Sequence, residues 1–200
     1  MNRSGKLILA SLAFLVALLA PSPALSRQVK SRVIPWPEWV ADVEEDDDHP
    51  IALEVIEIKI GGKGIILGEP FEEGEDWLKK MTIRVKNIGK KPIVAFGVGG
   101  GLLEGTDEEL APYASFRYGV GWNYGAGFDP EKEEPKGPCL EPGIVVELTY
   151  ENVSDLTRRV LAKVGEGAFC KLELMAPAIQ YSDGTTDVAP GIRLGKRLTR

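Results

Sequence analysis

The stretch that most constrains the fold lies near the middle of the chain, at residues 79–99, KKMTIRVKNIGKKPIVAFGVG. Between residues 81 and 86, apolar and polar side chains alternate, which is the two-residue period of a strand with one buried face. Asn87 and Gly89 follow, and both tolerate the left-handed backbone of a tight turn. A second apolar run covers residues 92–98, and its first residue is a proline, which lacks an N–H and therefore suits the start of a strand. The stretch predicts a β-hairpin.

Further strand patterns, separated by turn signals at short intervals, occur on both sides of this stretch. We expect strands at residues 53–60, 65–67, 113–118, 144–150, 169–175 and 179–181. In the first of these, Ile56, Ile58 and Ile60 are expected to share one face. Residues 154–164 have helical spacing, with a serine at the N-cap and a glycine after the last turn. About seven strands and one short helix predict an all-β, immunoglobulin-like β-sandwich, with Trp77 in its core.

The central stretch resembles the hairpin of immunoglobulin-like or telokin-like modules in secreted bacterial proteins. The resemblance is carried by V-K-N at residues 85–87 and K-P-I at residues 91–93, and it is tight over residues 55–98. It is looser over residues 142–187, where a G-x-V-V-E-L strand and an S-D-G-T turn follow in the same order. The resemblance implies a fold, and the signature carries no chemistry that would imply a function.

Residues 1–26 have the pattern of a signal peptide. Arg3 and Lys6 precede an apolar run at residues 7–20, and small residues stand before the cleavage point. The run falls short of the ~20 residues that cross a bilayer, and Pro21 follows it directly. We therefore expect cleavage and export to a secreted or periplasmic location, with an uncleaved membrane anchor as the alternative. No cysteine lies near the cleavage point, which argues against a lipid-modified N-terminus.

The rest of the chain divides into an extended acidic arm at residues 27–50, a sandwich domain at residues 51–187 and a basic tail at residues 188–200. The tail is expected to be a frayed end, or to fold back onto the acidic arm. Removing residues 1–26 takes away two positive charges and changes the net charge from −6 to −8. A chain this acidic offers no electrostatic basis for binding nucleic acid, so we expect no such partner.

The arm contains Trp36, which lies between Pro35 and Pro37, and Trp39, and an acidic run follows at residues 44–48. We interpret the two tryptophans as holding the arm against the sandwich; the alternative is a binding platform for a partner or a glycan. Carboxylate oxygens suit calcium, but the acidic run lacks the D-x-[DN]-x-[DN]-G spacing of a calcium-binding loop. His49 is the only histidine. We expect neither a metal site nor a cofactor.

The main candidate for a binding surface is the glycine- and aromatic-rich loop at residues 119–138. It belongs to the longest irregular stretch of the mature chain, residues 119–143, and such long loops in compact domains are usually functional or disordered. Trp122, Tyr124 and Phe128 are the candidate residues of a surface that would face a glycan or an envelope protein. The alternative is that these three rings pack back onto the sheet.

Cys139 and Cys170 are the only cysteines. Export delivers both to an oxidising compartment, so we expect a disulfide between them that ties the long loop to a strand. By strand parity with Leu172 and Leu174, Cys170 is expected to face the core. A two-cysteine metal site would need further ligands, and a redox pair would more usually have the C-x-x-C spacing.

The sequence contains no motif that pairs a nucleophile with a base, since H-E-x-x-H, G-x-S-x-G and S-x-x-K are all missing. The glycines at residues 97–101 and 119–127 do not complete G-x-G-x-x-G. We expect a non-catalytic structural or assembly-accessory module of the bacterial envelope. One alternative is an adhesion module that binds a glycan or a protein through residues 119–138. The other is a hydrolase that uses two of the thirty acidic residues as its catalytic pair.

Overall fold

The computed structural model describes residues 30–34, 51–98, 100–103, 116–119, 138–153, 155–164, 169–174, 178–188 and 192–199. Within these residues the protein is an all-β sandwich with one short α-helix, as the sequence predicts. The helix is α1 (Asp155–Val164), and the strands in chain order are β1 (Lys30–Val33), β2 (Leu53–Ile60), β3 (Lys63–Gly64), β4 (Pro70–Glu73), β5 (Met81–Asn87), β6 (Ile93–Val98), β7 (Gly100–Leu103), β8 (Phe116–Tyr118), β9 (Val145–Leu148), β10 (Phe169–Glu173), β11 (Ala178–Tyr181), β12 (Thr186–Val188) and β13 (Ile192–Leu194).

The described part of the chain thus has thirteen strands, more than the predicted seven. Several of the additional strands have only two to four residues, and alternation cannot be recognised over so few positions. The strands form three sheets, with the orders β4-β1-β10-β7, β12-β11-β6-β8 and β13-β2-β5-β9, and β3 pairs with β2 at the side of the last. Buried residues from all three sheets form one hydrophobic cluster, so the sheets share a single core.

The longest ladder joins β2 and β5, which run antiparallel over their full lengths. A β-bulge at Ile56 inserts an extra residue into β2 and reverses its alternation from that point. Leu53 and Val55 are therefore buried before the bulge, Ile58 and Ile60 are buried after it, and Ile56 is only half-buried. The prediction that Ile56, Ile58 and Ile60 share one face is wrong at Ile56 for this reason.

The predicted hairpin at residues 79–99 is wrong, because its two strands lie in different sheets. β5 pairs with β2 and β9, whereas β6 pairs with β8 and β11. Residues 88–92 cross from one sheet to the other, and the N–H groups of Ile88 and Gly89 both donate to the carbonyl of Ala52, at 2.8 and 3.2 Å. The turn residues do redirect the chain, but they connect two layers of the sandwich. Local turn chemistry does not determine which strand pairs with which.

Two segments that the sequence places outside the domain belong to it. Residues 30–33 form β1, which pairs with β4 and β10, and the adjacent Ile34 is fully buried. At the other end, β13 pairs in parallel with β2, and both Ile192 and Leu198 are buried. The prediction of a frayed C-terminal end is wrong, because these apolar side chains complete the core. The remainder of the arm, residues 35–50 with both tryptophans, the acidic run and the histidine, lies outside the described residues.

Trp77 is a core residue, as predicted. It begins the 3-10 turn Trp77–Lys80 directly before β5, and it is 1% exposed. Its ring centre lies 5.9 Å from that of Phe71, and the guanidinium of the buried Arg32 lies 5.3 Å from the Trp77 ring centre. Truncating a buried tryptophan costs roughly 3–5 kcal/mol. The packing of Trp77 against Phe71 of β4 and Arg32 of β1 therefore contributes substantially to holding β1, β4 and β5 together.

The helix α1 confirms the helix predicted at residues 154–164, while the two predicted capping positions, 154 and 165, lie outside the described residues. Leu161 is buried, and Arg158, Arg159 and Lys163 are exposed. The helix therefore packs one apolar side against the sandwich. In the ranges that the structure describes, no helix combines the length and the apolar character needed to cross a membrane.

Candidate functional site

Three segments of the sandwich meet, and together we call them the motif corner. They are residues 85–93 with V-K-N and K-P-I, residues 138–144, which lead into the G-x-V-V-E-L strand β9, and residues 181–187 with the S-D-G-T turn. Ile93 forms an isolated bridge with Leu140, and it also lies opposite Tyr181 in the ladder between β6 and β11. The motifs are therefore distant in the sequence and adjacent in the fold.

Asn87 is at the centre of the motif corner. Its side chain is completely buried, and its amide nitrogen donates to the carbonyls of Lys91 at 2.9 Å and Leu140 at 2.8 Å. Its amide oxygen accepts a hydrogen bond from the N–H of Gly89 at 2.9 Å. One amide thus supplies partners to three backbone groups around the crossing between sheets. These three hydrogen bonds explain why the V-K-N motif ends in asparagine, since no other small side chain both donates two hydrogen bonds and accepts one.

The backbone of Asn87 joins the same corner to β9. Its N–H donates to the carbonyl of Ile144 at 3.0 Å, and its carbonyl accepts from the N–H of Gly143 at 2.8 Å. Gly143 and Ile144 therefore both lie opposite the single residue Asn87 of β5. The backbone φ of Gly143 is +82°. This is the geometry of a β-bulge whose first residue must adopt the left-handed conformation, for which glycine is suited. The bulge sets the position at which β9 begins.

Lys91 and Asp183 form the ion pair of the motif corner, with 2.8 Å between ammonium and carboxylate. Lys91 also donates to the hydroxyl of Thr185 at 3.2 Å. Asp183 accepts from the backbone N–H and the hydroxyl of Thr185, at 3.0 and 2.6 Å. The hydrogen bond from Lys91, followed by those from Thr185, lowers the pKa of the Asp183 carboxyl well below its usual range. Asp183 is therefore ionised at neutral pH and closes the turn between β11 and β12.

Tyr181 lies under this ion pair, with the Lys91 ammonium 5.4 Å from its ring centre. Its hydroxyl donates a short hydrogen bond to the carboxylate of Asp187. Burial, and then the hydrogen bond to Asp187, raises the pKa of Tyr181 above its ordinary value. The hydroxyl therefore stays protonated at neutral pH. Lys91 thus joins the crossing at residues 88–92 to the turn between β11 and β12.

Glu57 is a second ionic centre, on the outer face of the five-stranded sheet. Its carboxylate lies 3.1 Å from the ammonium of Lys59 and 3.2 Å from the guanidinium groups of Arg84 and Arg197. Hydrogen bonds from Lys59 first, and from Arg84 and Arg197 after it, lower the pKa of Glu57 against the opposing effect of burial. Arg197 belongs to the predicted basic tail, so this tail residue pairs with a carboxylate in the middle of the sheet.

The free side of β9 is the candidate binding surface. β9 pairs with β5 on one side, and no other strand of the described ranges pairs with its second side. Ile144 and Val145 are 54% and 37% exposed, and they are two of the three large hydrophobic side chains that are exposed among the residues described. An open sheet edge with exposed apolar side chains is a typical binding surface for an extended chain. The sequence predicts this strand but contains no signal for its edge position.

The side chains predicted to form a binding surface, Trp122, Tyr124 and Phe128, lie outside the described residues, and their role stays a prediction. The residues that flank this loop are described. The hydroxyl of Tyr118 donates to the carbonyl of Pro138 at 2.7 Å. The sandwich therefore brings the two ends of the loop together.

The predicted disulfide between Cys139 and Cys170 is not formed in the structure. Cys139 is exposed, and its thiol is free. It precedes Leu140, which bridges to β6, whereas Cys170 lies in β10 of a different sheet. The register of β10 against β7 shifts between Phe169 and Lys171, which places Cys170 at an irregularity. The side chain of Cys170 lies outside the described residues, so its predicted position facing the core stays a prediction.

Comparison of the chain with protein-family models, with curated proteins and with solved structures gave no match in any of the three. The resemblance to immunoglobulin-like modules therefore rests on the sequence motifs. Among the residues that the structure describes, no three His, Cys, Asp or Glu side chains are grouped so that they would hold a metal ion. The candidate site consists of the free side of β9 and the motif corner that positions it.

Proposed function

We propose that this chain is an exported, non-catalytic module of a bacterial cell envelope, and that it supports assembly by holding a partner protein. The observation that carries the proposal is the free side of β9 in the described structure, with Ile144 and Val145 exposed beside it. Apolar side chains on an open edge promote association with other chains. Pairing with an extended segment of a partner would satisfy the backbone groups of the edge and cover these side chains.

The motif corner supports the proposal because it makes this edge rigid. Asn87 holds the start of β9 through two backbone hydrogen bonds, and its buried side chain holds the segment that leads into the strand. A preformed edge loses little conformational entropy when a partner binds. The corner and the edge together therefore form a surface that is ready to bind before the partner arrives.

Site-specific photocrosslinking in the source cells tests the proposal with the full-length chain. A photoreactive side chain at residue 144 should give a discrete adduct with an envelope protein, because this position is the most exposed apolar one next to β9. The same probe at Lys63, which is exposed in the short strand β3, is the matched control and should give no such adduct. The exported protein should also begin at residue 27. Equal adducts at both positions, or a chain that keeps residues 1–26 in the cytoplasm, would contradict the proposal.

A further inference from the structure

The free side of β9 has a definite arrangement of backbone groups. In an antiparallel ladder, hydrogen-bonded residue pairs alternate with pairs that are not hydrogen-bonded. Asn87 exchanges hydrogen bonds with the bulge ahead of β9, so the next residue of β9 that bonds to β5 is Val146. The N–H and C=O groups of Val145 and Glu147 therefore point away from β5. These are the groups that an added strand would bond.

The side chains along this edge continue a pattern of alternating charge. On the outer face of the sheet, Glu147 of β9 lies opposite Arg84 of β5, which lies opposite Glu57 of β2. Arg84 directs its guanidinium to Glu57 at 3.2 Å, and within the described part of the chain the Glu147 carboxylate has no ion-pair partner. Opposite charges on neighbouring strands stabilise a sheet. A strand added beyond β9 would therefore be favoured if it placed a cation opposite Glu147.

The position two residues before Glu147 has a different requirement. Val145 is 37% exposed on the same outer face, opposite Lys86. An apolar side chain on the added strand would remove it from water. Because residues of one face recur at every second position of a strand, the cation and this apolar residue would stand two residues apart in the partner.

We propose that β9 takes up an extended partner segment in which Lys or Arg stands two residues from an apolar side chain. This inference rests on the proposed function and gives the chemistry of the partner. A second copy of β9 does not fit, because residues 143–150, GIVVELTY, contain no basic residue. In a pair of copies, Glu147 would face either a carboxylate or an uncharged side chain.

Fluorescence anisotropy with the exported protein tests the inference. It uses two labelled peptides, T-V-T-R-T-V-T and T-V-T-E-T-V-T. The arginine peptide should bind roughly tenfold more tightly than the glutamate peptide, since it gains an attraction and avoids a repulsion. Glu147→Arg should reverse this order. Glu72→Arg makes the same charge change on an exposed position of β4 and should leave the order unchanged.

A backbone variant separates strand addition from simple charge attraction. Val145→Pro removes an N–H on the free side of β9 and none from the ladder with β5. It should keep a cooperative thermal transition and lose the binding of both peptides. If Val145→Pro does not fold, the reversal expected for Glu147→Arg still decides the question.

Equal binding of the two peptides, or an unchanged order in Glu147→Arg, would overturn the inference. If neither peptide binds while the residue 144 adduct with an envelope protein still forms, strand addition is wrong and the proposed function stands. A residue 144 adduct with a second copy would overturn the proposed partner chemistry. An adduct within the same chain would mean that β9 is covered internally, and it would overturn both proposals.

Discussion

Asn87→Ala tests the hydrogen bonds that hold the motif corner together. It removes the amide nitrogen that donates to Lys91 and Leu140 at 2.9 and 2.8 Å, and the oxygen that accepts from Gly89 at 2.9 Å. Each of these hydrogen bonds contributes about 1 kcal/mol net, so the free energy of unfolding should fall by about 3 kcal/mol. In a protein of this size, that corresponds to a fall in Tm of roughly 6–12 °C.

Asn87→Asp distinguishes two explanations for the same residue. Asparagine and aspartate both suit turns, so aspartate would preserve stability if Asn87 acted only through local turn preference. A carboxylate cannot donate, however, and the two carbonyl oxygens of Lys91 and Leu140 would face its own oxygens in a buried site. We therefore expect Asn87→Asp to be at least as destabilising as Asn87→Ala.

Thermal unfolding followed by circular dichroism measures both variants, with Asn152→Ala as the matched control. Asn152 caps a 3-10 turn at a half-buried position, where its amide oxygen accepts from the N–H of Thr149 at 2.8 Å. Removing such a cap costs about 1 kcal/mol. If Asn87→Asp melts within about 2 °C of the wild type, or if Asn87→Ala is no more destabilising than Asn152→Ala, the Asn87 side chain does not hold the motif corner together.

Three further predictions concern other parts of the structure. Gly195→Ala puts a Cβ 2.8 Å from the Cα of Ile56 and should lower Tm by several degrees. The control Gly64→Ala puts a Cβ where nothing lies within 4 Å and should leave Tm nearly unchanged. Equal Tm values of the two variants would show that the C-terminal segment does not pack against β2. The pKa of Glu57 is lowered, so the stability that its carboxylate contributes is present above the unfolded pKa of about 4.3 and is lost as the pH falls through the folded pKa. The loss of Tm between about pH 5 and about pH 3 should therefore be smaller in Glu57→Gln than in the wild type, and parallel profiles would argue against the Glu57 centre. Peptide mapping of the native protein should find Cys139 alkylated by iodoacetamide without a reductant, because its thiol is free and exposed. A Cys139 that is protected from alkylation would support the predicted disulfide with Cys170.

Much of the local structure could be predicted from the sequence, because alternation, helical spacing and turn residues are properties of neighbouring positions. The strand β2 at Leu53–Ile60 and the helix α1 are found where these patterns indicate them. The turn at residues 182–184 also connects β11 to β12 as its Ser-Asp-Gly sequence suggests. The all-β class follows from the sum of such local signals.

The pairing of strands could not be predicted in the same way. The patterns of β5 and β6 show that each strand has a buried face, but the same pattern suits a hairpin within one sheet and a crossing between two. The crossing is stabilised by the hydrogen bond from the Asn87 side chain to the carbonyl of Leu140, which is 53 residues further along the chain. The parallel pairing of β13 with β2 is equally non-local, and a three-residue strand provides no periodicity that would reveal it.

The candidate site also has a part that the sequence determines and a part that depends on the pairing of strands. The sequence by itself determined the side chains: an asparagine with two donors, a lysine and an aspartate of opposite charge, and a β-branched strand that ends in Glu147 and Leu148. The tertiary structure decided that Lys91 meets Asp183 and that β9 stands at the edge of its sheet in the part of the chain described. The physical reason is that an edge is a property of the whole sheet. Whether the N–H groups of Val145 and Glu147 face a neighbour or a free side depends on residues far away in the sequence.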